Sequence, residues 1–259
     1  LNFLIPDLAS GVRYRKGPYF ADSGDFSLAG SASLDYLSAL DAPFIETTLG
    51  ANRLRRLLAA GSRTRDDQTW LGAIELEGND GPWDVPERLR KVNAVVRYSQ
   101  GSPAQGFHIT GMAYRSHWTS TDQVPERLID SGELPRFGSL NPTDGGSTRR
   151  LSLSGKWFHN GPQGRTQVSA YAIDYRFALF SDFTYFLNNP AQGDQFEQTD
   201  RRRVFGLQAT HSMPQPIGGL DGQLSWGAQW RGDRIAEVGL YNTAARERLS
   251  TVRNDRVAQ

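Results

Sequence analysis

The chain has no cysteine. That excludes a disulfide framework, a thiolate zinc site and a cysteine nucleophile. Its 4 His, at positions 108, 117, 159 and 211, are far apart in sequence. No His-Glu-x-x-His, Gly-x-Ser-x-Gly or Walker pattern is present, so neither catalytic residues nor metal ligands are assigned, no cofactor is expected and an enzyme is not the expected class. No run of about 18 apolar residues occurs, which excludes a transmembrane helix but not a transmembrane strand of roughly 9–11 residues. An excess of one charge is also missing: 29 Lys+Arg face 28 Asp+Glu. A chain so balanced has no basic footprint for nucleic acid. Leu1-Asn2-Phe3 opens without Met, a basic segment or a long apolar segment, so no signal peptide is visible. With 38% hydrophobic residues the chain is nevertheless too apolar for disorder.

What the sequence has is a period of two. Residues i, i+2 and i+4 share one face of a strand. Val92, Ala94, Val96 and Tyr98 alternate with Lys91, Asn93, Arg97 and Ser99; Val95 is the exception. Leu151, Leu153, Gly155 and Trp157 alternate with Arg150, Ser152, Ser154 and Lys156, and Leu224, Trp226, Ala228 and Trp230 with Gln223, Ser225, Gln229 and Arg231. In 166–177, Ser169, Tyr171, Ile173, Tyr175 and Phe177 oppose Thr166, Asp174 and Arg176. Helical spacing fits none of these stretches as well. About ten such segments are expected, near 43–50, 53–61, 69–78, 88–100, 105–117, 148–159, 165–179, 202–213, 220–234 and 249–258. Several exceed the roughly 5–6 residues usual for soluble strands.

The connections alternate as well. Short Gly/Pro turns fall at 101–104, 160–164 and 214–219, and long connections at 118–147, 180–201 and 235–249, with 79–87 intermediate. Gly50-Ala51-Asn52 is short where the alternation asks for a long loop. Long strands with short turns at one end and long loops at the other are the pattern of an outer-membrane barrel. Residues 1–40 differ: two short strands, in Val12–Tyr19 and Ala29–Tyr36, flank a turn cluster at Asp22–Ser27. The domain reading is therefore 1–40 as the end of a compact unit and 41–259 as a barrel segment. Both ends read as cuts in a longer chain.

Arg15-Lys16-Gly17-Pro18, followed by Gly24-Asp25-Phe26-Ser27 and Ala29-Gly30, resembles the end of the plug domain of TonB-dependent outer-membrane receptors. Segments 79–83, 118–125 and 183–187 resemble loops of that family's barrel. The resemblance covers essentially the whole chain. It implies an all-β fold: the C-terminal end of a plug, then about ten meander strands of an antiparallel transmembrane barrel that is not closed, since such barrels have about 22 strands. It further implies a place in the bacterial outer membrane and energy-coupled uptake of a scarce ligand such as a ferric siderophore, cobalamin or glycan. The implied partners are outer-membrane lipid, the imported small ligand and the TonB inner-membrane complex, the last engaged through a segment outside this sequence.

Two sets of residues follow as candidates. Glu75 and Glu77 share a face of their strand opposite Trp70, Ile74 and Leu76. Cations near the start of the chain, Arg13, Arg15 and Lys16, are candidates to pair with them as a breakable plug–barrel latch. Trp83, Trp118, Gln123, Phe183, Tyr185, Asn188 and Gln192 put aromatic faces and amides in the loops, which suits a sugar or an aromatic chelate. The plainer readings are a solvated lumen wall for the carboxylates and an interfacial girdle or loop packing for the aromatics. Two other classes compete: a soluble all-β ligand- or glycan-binding module, and a small passive porin whose residues 249–257 pair with the strand near Pro43.

Overall fold

In the computed structural model the described residues are 2–24, 27–216 and 218–259. They are mostly β-structure, with one short α-helix, α1 (Glu126–Asp130), and two 3₁₀ turns (Pro6–Leu8 and Ala21–Ser23). Strands β1 (Ala9–Lys16) and β2 (Gly30–Tyr36) form an antiparallel pair. The motif residues Asp25 and Phe26, and Ile217 in a predicted turn, lie outside the described residues. Ten further strands form one antiparallel meander in strict sequence order: β3 (Phe44–Leu49), β4 (Arg55–Arg65), β5 (Gln68–Asn79), β6 (Leu89–Gly101), β7 (Gln105–Thr119), β8 (Gly145–Gly161), β9 (Gly164–Ser181), β10 (Phe196–Pro214), β11 (Gln223–Ala244) and β12 (Glu247–Ala258). The sheet is open. β3 pairs only with β4 and β12 only with β11, so the expected closure of a small barrel through residues 249–257 is not made.

Each of the ten period-2 segments became a strand, but three long connections shrank. The expected loop 235–249 is mostly strand: β11 runs to Ala244 and reverses at Ala245 and Arg246, both at positive φ (+49° and +70°). Such a turn matches the twist of the flanking strands. Register shifts between Ile235 and Val238 and near Tyr241 break the alternation there, so the two-residue period is lost while the pairing continues. Similarly, β10 starts at Phe196 rather than 202. Its first turns of strand, Glu197–Asp200, are polar on both faces and are held by side-chain pairs such as Arg248–Glu197 (2.5 Å). In the loop between β7 and β8, α1 occupies part of the expected long connection.

Directly paired residues of neighbouring strands share a face, so the register assigns every side chain to one of two faces. One row runs Leu58–Glu75–Asn93–Tyr114–Arg150–Tyr175–Arg202. We call this the inner face, because the described residues of the N-terminal unit pack on it. Ile5 and Leu8 are fully buried against Leu58, Ala60, Leu71, Ala73 and Val95, with Tyr36, Leu37, Leu40 and Phe44 at the margin. At the far side of the sheet the Asp22 carbonyl accepts bonds from Gln208 Nε2 (3.3 Å) and Gln229 Nε2 (2.8 Å).

The outer face carries a band of apolar side chains. On β5 it is Trp70, Gly72, Ile74 and Leu76; on β6, Tyr98, Val96, Ala94 and Val92; on β7, Phe107 to Ala113; on β8, Trp157 to Leu151; on β11, Leu224 to Gly232. Many are open to solvent, including Leu153 (58%) and Trp230 (60%). Strand β9 keeps the two expected faces but turns the bulky one inward. Tyr171, Ile173, Tyr175 and Phe177 lie on the inner face, and Asp174 and Arg176 on the outer. Periodicity tells two faces apart without saying which is which; the register with β8 decides.

Candidate functional site

The inner face at β4–β6 holds an ion network. Glu75 is 1% exposed. Its carboxylate accepts from Arg56 Nε (2.6 Å) and Asn93 Nδ2 (2.8 Å) and sits 3.2 Å from Lys91 Nζ, which also pairs with Glu77. Arg56 uses its remaining nitrogens on Glu46 (3.0 Å) and on Asp7 of the N-terminal unit (2.5 Å). Asn93 Nδ2 also donates to the Asn2 carbonyl (3.0 Å). A buried carboxylate of this kind is tolerable because every partner is present.

The ionic partners differ from the expected latch. Arg13 pairs with Asp35 (2.9 Å), and Arg15 donates to both oxygens of Asp22 (2.7 Å), inside the N-terminal unit. The Arg15 hydrogen bond holds the Asp22 carboxyl below its ordinary range. The Lys16 side chain makes no hydrogen bond or ion pair among the described residues. Glu75 and Glu77 take their cations from the sheet itself, and the unit contributes an acid, Asp7, to the sheet's Arg56. The polarity is inverted because Arg13 and Arg15 stand on β1, beside the carboxylates of their own two-stranded sheet. The signals missed were Arg56 and Lys91, which stand opposite Glu77 on the two neighbouring strands and reach Glu75 diagonally along the same face.

Of the seven aromatic and amide candidates, Trp118 alone lines a cavity on the inner face. This cavity, about 700 Å³, lies at the long-loop end and is bounded by Phe3, Tyr114, Trp118, Arg150, Tyr175 and Phe177. The Arg150 guanidinium stacks over Phe3 (4.3 Å), and its buried Nε has no partner among the described residues. The other six lie in the loops, where most of them make contacts within a loop or from one loop to the next. Trp83 donates to Glu87 (2.7 Å) and meets the edge of Phe137. Phe183 packs on Phe196. Tyr185 is buried and its hydroxyl donates to the Gln123 carbonyl. The Asn188 backbone and amide nitrogens donate to Asp194 (2.9 and 3.1 Å), and the Gln192 backbone N–H to Asn189 (3.1 Å).

Those loops converge on buried carboxylates. Asp144 and Asp182 are buried, and Asp122 accepts the Asp182 backbone N–H (2.9 Å). Gln195 donates to Asp144 (2.9 Å) and accepts from Thr243 (3.0 Å) and the Arg246 backbone (2.9 Å). Arg246 reaches back to the carbonyls of Thr143 (2.5 Å) and Asp144 (3.0 Å). Burial, joined by the neighbouring charges of Asp122 and Asp182, pushes the Asp144 carboxyl up to about 7, against the opposing bond from Gln195. Burial and the same acids raise the Tyr185 phenol to about 12. No group of three or more potential metal-ligating side chains capable of holding an ion occurs among the described residues.

No protein-family model matches the chain, and no curated protein matches it in sequence.

Proposed function

We propose that this chain is the end of the plug and the first ten barrel strands of a TonB-dependent outer-membrane receptor, serving energy-coupled uptake of a scarce ligand such as a ferric siderophore. The observation that carries the reading is the slope of the apolar band. Its upper edge is marked by Arg90 on β6, Arg115 on β7, Arg149 on β8, Asp174 on β9, Arg203 on β10 and Arg234 on β11. Its lower edge descends in parallel, from Trp70 on β5 through Phe107 and Trp157 to Trp226 and Leu224 on β11. Relative to the hydrogen-bonded rows the upper edge drops by four residues, about 13 Å, across five strand spacings, about 24 Å: a slope of about 30°. Strands of a membrane barrel tilt by roughly 35–45°, so a band lying in the bilayer plane must cross the rows at such an angle. From Arg90 to Gln100 the strand runs roughly 33 Å, or about 25 Å when tilted by 40°, the height of a barrel's apolar belt.

Three further features support the reading. Aromatic side chains gather along the lower edge, where Tyr98 meets Trp70 (4.7 Å) and Phe107 (5.8 Å), as an interfacial girdle would. No second sheet layer covers the band among the described residues. The N-terminal unit sits on the opposite face, held by a small apolar patch and by polar contacts that can break and reform, as a movable plug requires. The test is fractionation. The full-length protein should sediment with the outer membrane, change its gel mobility on heating, and be retained by the periplasmic domain of the energy-coupling protein. Recovery as a soluble periplasmic protein would contradict the proposal.

A further inference from the structure

Above the band, the outer face at β9–β12 is strongly basic. Arg176, Arg201, Arg203, Arg234 and Arg256 line a groove of about 650 Å³, and all five are exposed. Two carboxylates face them. Asp174 is shared between Arg203 (3.2 Å) and Arg176 (3.7 Å). Glu237 is 3.9 Å from Arg201 but also serves Arg248 (3.4 Å), Thr199 and Tyr241. The side chains of Arg234 and Arg256 make no hydrogen bond or ion pair among the described residues. Five guanidiniums against two shared carboxylates leave a clear positive excess, on a chain whose overall charge is only +1.

The position of the groove carries the inference. Arg203 and Arg234 stand at the foot of the descending charged edge that begins at Arg90 and passes through Arg115 and Arg149. A ligand arriving from water has no reason to follow the edge of an apolar band. A headgroup layer does, because its height is fixed by the hydrocarbon beneath it. Guanidiniums present forked donors that match phosphate oxygens, and basic side chains beside a bilayer attract anionic headgroups. We propose that this groove binds the phosphate of an anionic, phosphorylated lipid in the leaflet on the long-loop side. The apolar tails would lie along Ala172, Phe205 and Gly232, one outward row below Asp174, Arg203 and Arg234. This rests on the membrane reading above.

The test uses the full-length protein, reconstituted in phosphatidylcholine nanodiscs with and without bis-phosphorylated lipid A, and compared with the R176Q/R203Q/R234Q and R176K/R203K/R234K variants. Native mass spectrometry counts the lipid A retained per chain after transfer to phosphatidylcholine alone, and the heat-induced mobility shift checks folding. Wild type is expected to keep lipid A, the Gln variant to retain about tenfold less or lower, and the Lys variant to fall between them. Excess inorganic phosphate should not displace the lipid. Equal retention by wild type and a folded Gln variant overturns the groove while leaving the membrane reading intact. Displacement by inorganic phosphate alone overturns the lipid as occupant in favour of a free anion. A wild-type protein that does not enter nanodiscs overturns the membrane reading, and the groove with it.

Discussion

The two faces of the ten-stranded sheet share a two-residue period and use it in opposite ways. On the outer face, the large side chains form one continuous oblique band with charged residues above it and polar ones below. On the inner face, the buried apolar cluster lies where Ile5 and Leu8 dock, with Val204 and Tyr114 buried apart from it. The rest is ionic or aromatic: Glu75 with Arg56 and Lys91, then Tyr114, Arg150 and Tyr175 along the same row. One face is ordered by what lies outside the protein and the other by what the chain folds onto it. The difference shows in substitution tolerance. An outer position should care about charge, and an inner position about its specific partners.

The largest effect is expected on the inner face. Glu75→Ala leaves Arg56 and Lys91 without their shared carboxylate and should cost about 3–5 kcal/mol, read as a shift of the unfolding midpoint in detergent. A loss under about 1 kcal/mol would mean that water reaches the network and that the inner face is simply a wetted wall. Next comes a paired comparison across one strand. Leu153→Arg introduces a charge in mid-band and should lower the stability of the lipid-folded protein by about 2–4 kcal/mol. Its neighbour Ser152→Arg points to the inner face and should do far less. Equal effects would erase the distinction between the faces.

A smaller, pH-dependent effect belongs to the loops. The Asp144 carboxyl holds its proton up to about pH 7 in the folded chain, whereas an unfolded Asp releases it near 3.9. The folded state therefore binds more protons between those values. The contribution is fully present below the unfolded pKa and is lost as pH rises through about 7. Hydrogen exchange in loop 182–195 should accelerate between about pH 4 and pH 7 beyond its intrinsic base-catalysed rise, and follow that rise alone above about pH 7. Asp144→Asn should remove the extra acceleration. If the wild type and this variant follow the same pH course, the shared proton is not what holds the loops. The smallest effect is expected for Arg13→Ala. Its pair with Asp35 is exposed, with side-chain accessibilities of 76% and 58%, so stability should change by no more than about 1 kcal/mol. A large loss of docking of residues 1–40, seen as faster proteolysis there, would restore Arg13 to the clasp.

Much of the outer face was legible in the sequence, because 92–98, 151–157 and 224–230 set apolar residues two apart, with Val95 the exception. The inner face was not, because its chemistry depends on register. Glu75 and Glu77 stood out as a pair, but their partners Arg56 and Lys91 become neighbours only when β4, β5 and β6 align. Strand β9 shows the same limit from the other side. Its bulky face reads like the rest, yet pairing with Arg150 and Arg202 turns Tyr175 inward. Residue type alone leaves the loop aromatics open between ligand contact and loop packing. The hydroxyl of Tyr185 joins one loop to the next through the Gln123 carbonyl, a contact between residues far apart in sequence.

This chain has no cysteine, so once any cysteine outside it is replaced by serine, a single introduced one can be spin-labelled without interference. Labels at Leu153→Cys and Ser152→Cys in the reconstituted full-length protein, read by collision with dissolved oxygen and with a water-soluble nickel chelate, test the account directly. The account predicts a Leu153 label that oxygen reaches and nickel does not, beside a Ser152 label that lacks this lipid signature. A Leu153 label relaxed by nickel, or shielded from both reagents as in a dry protein interior, would contradict it.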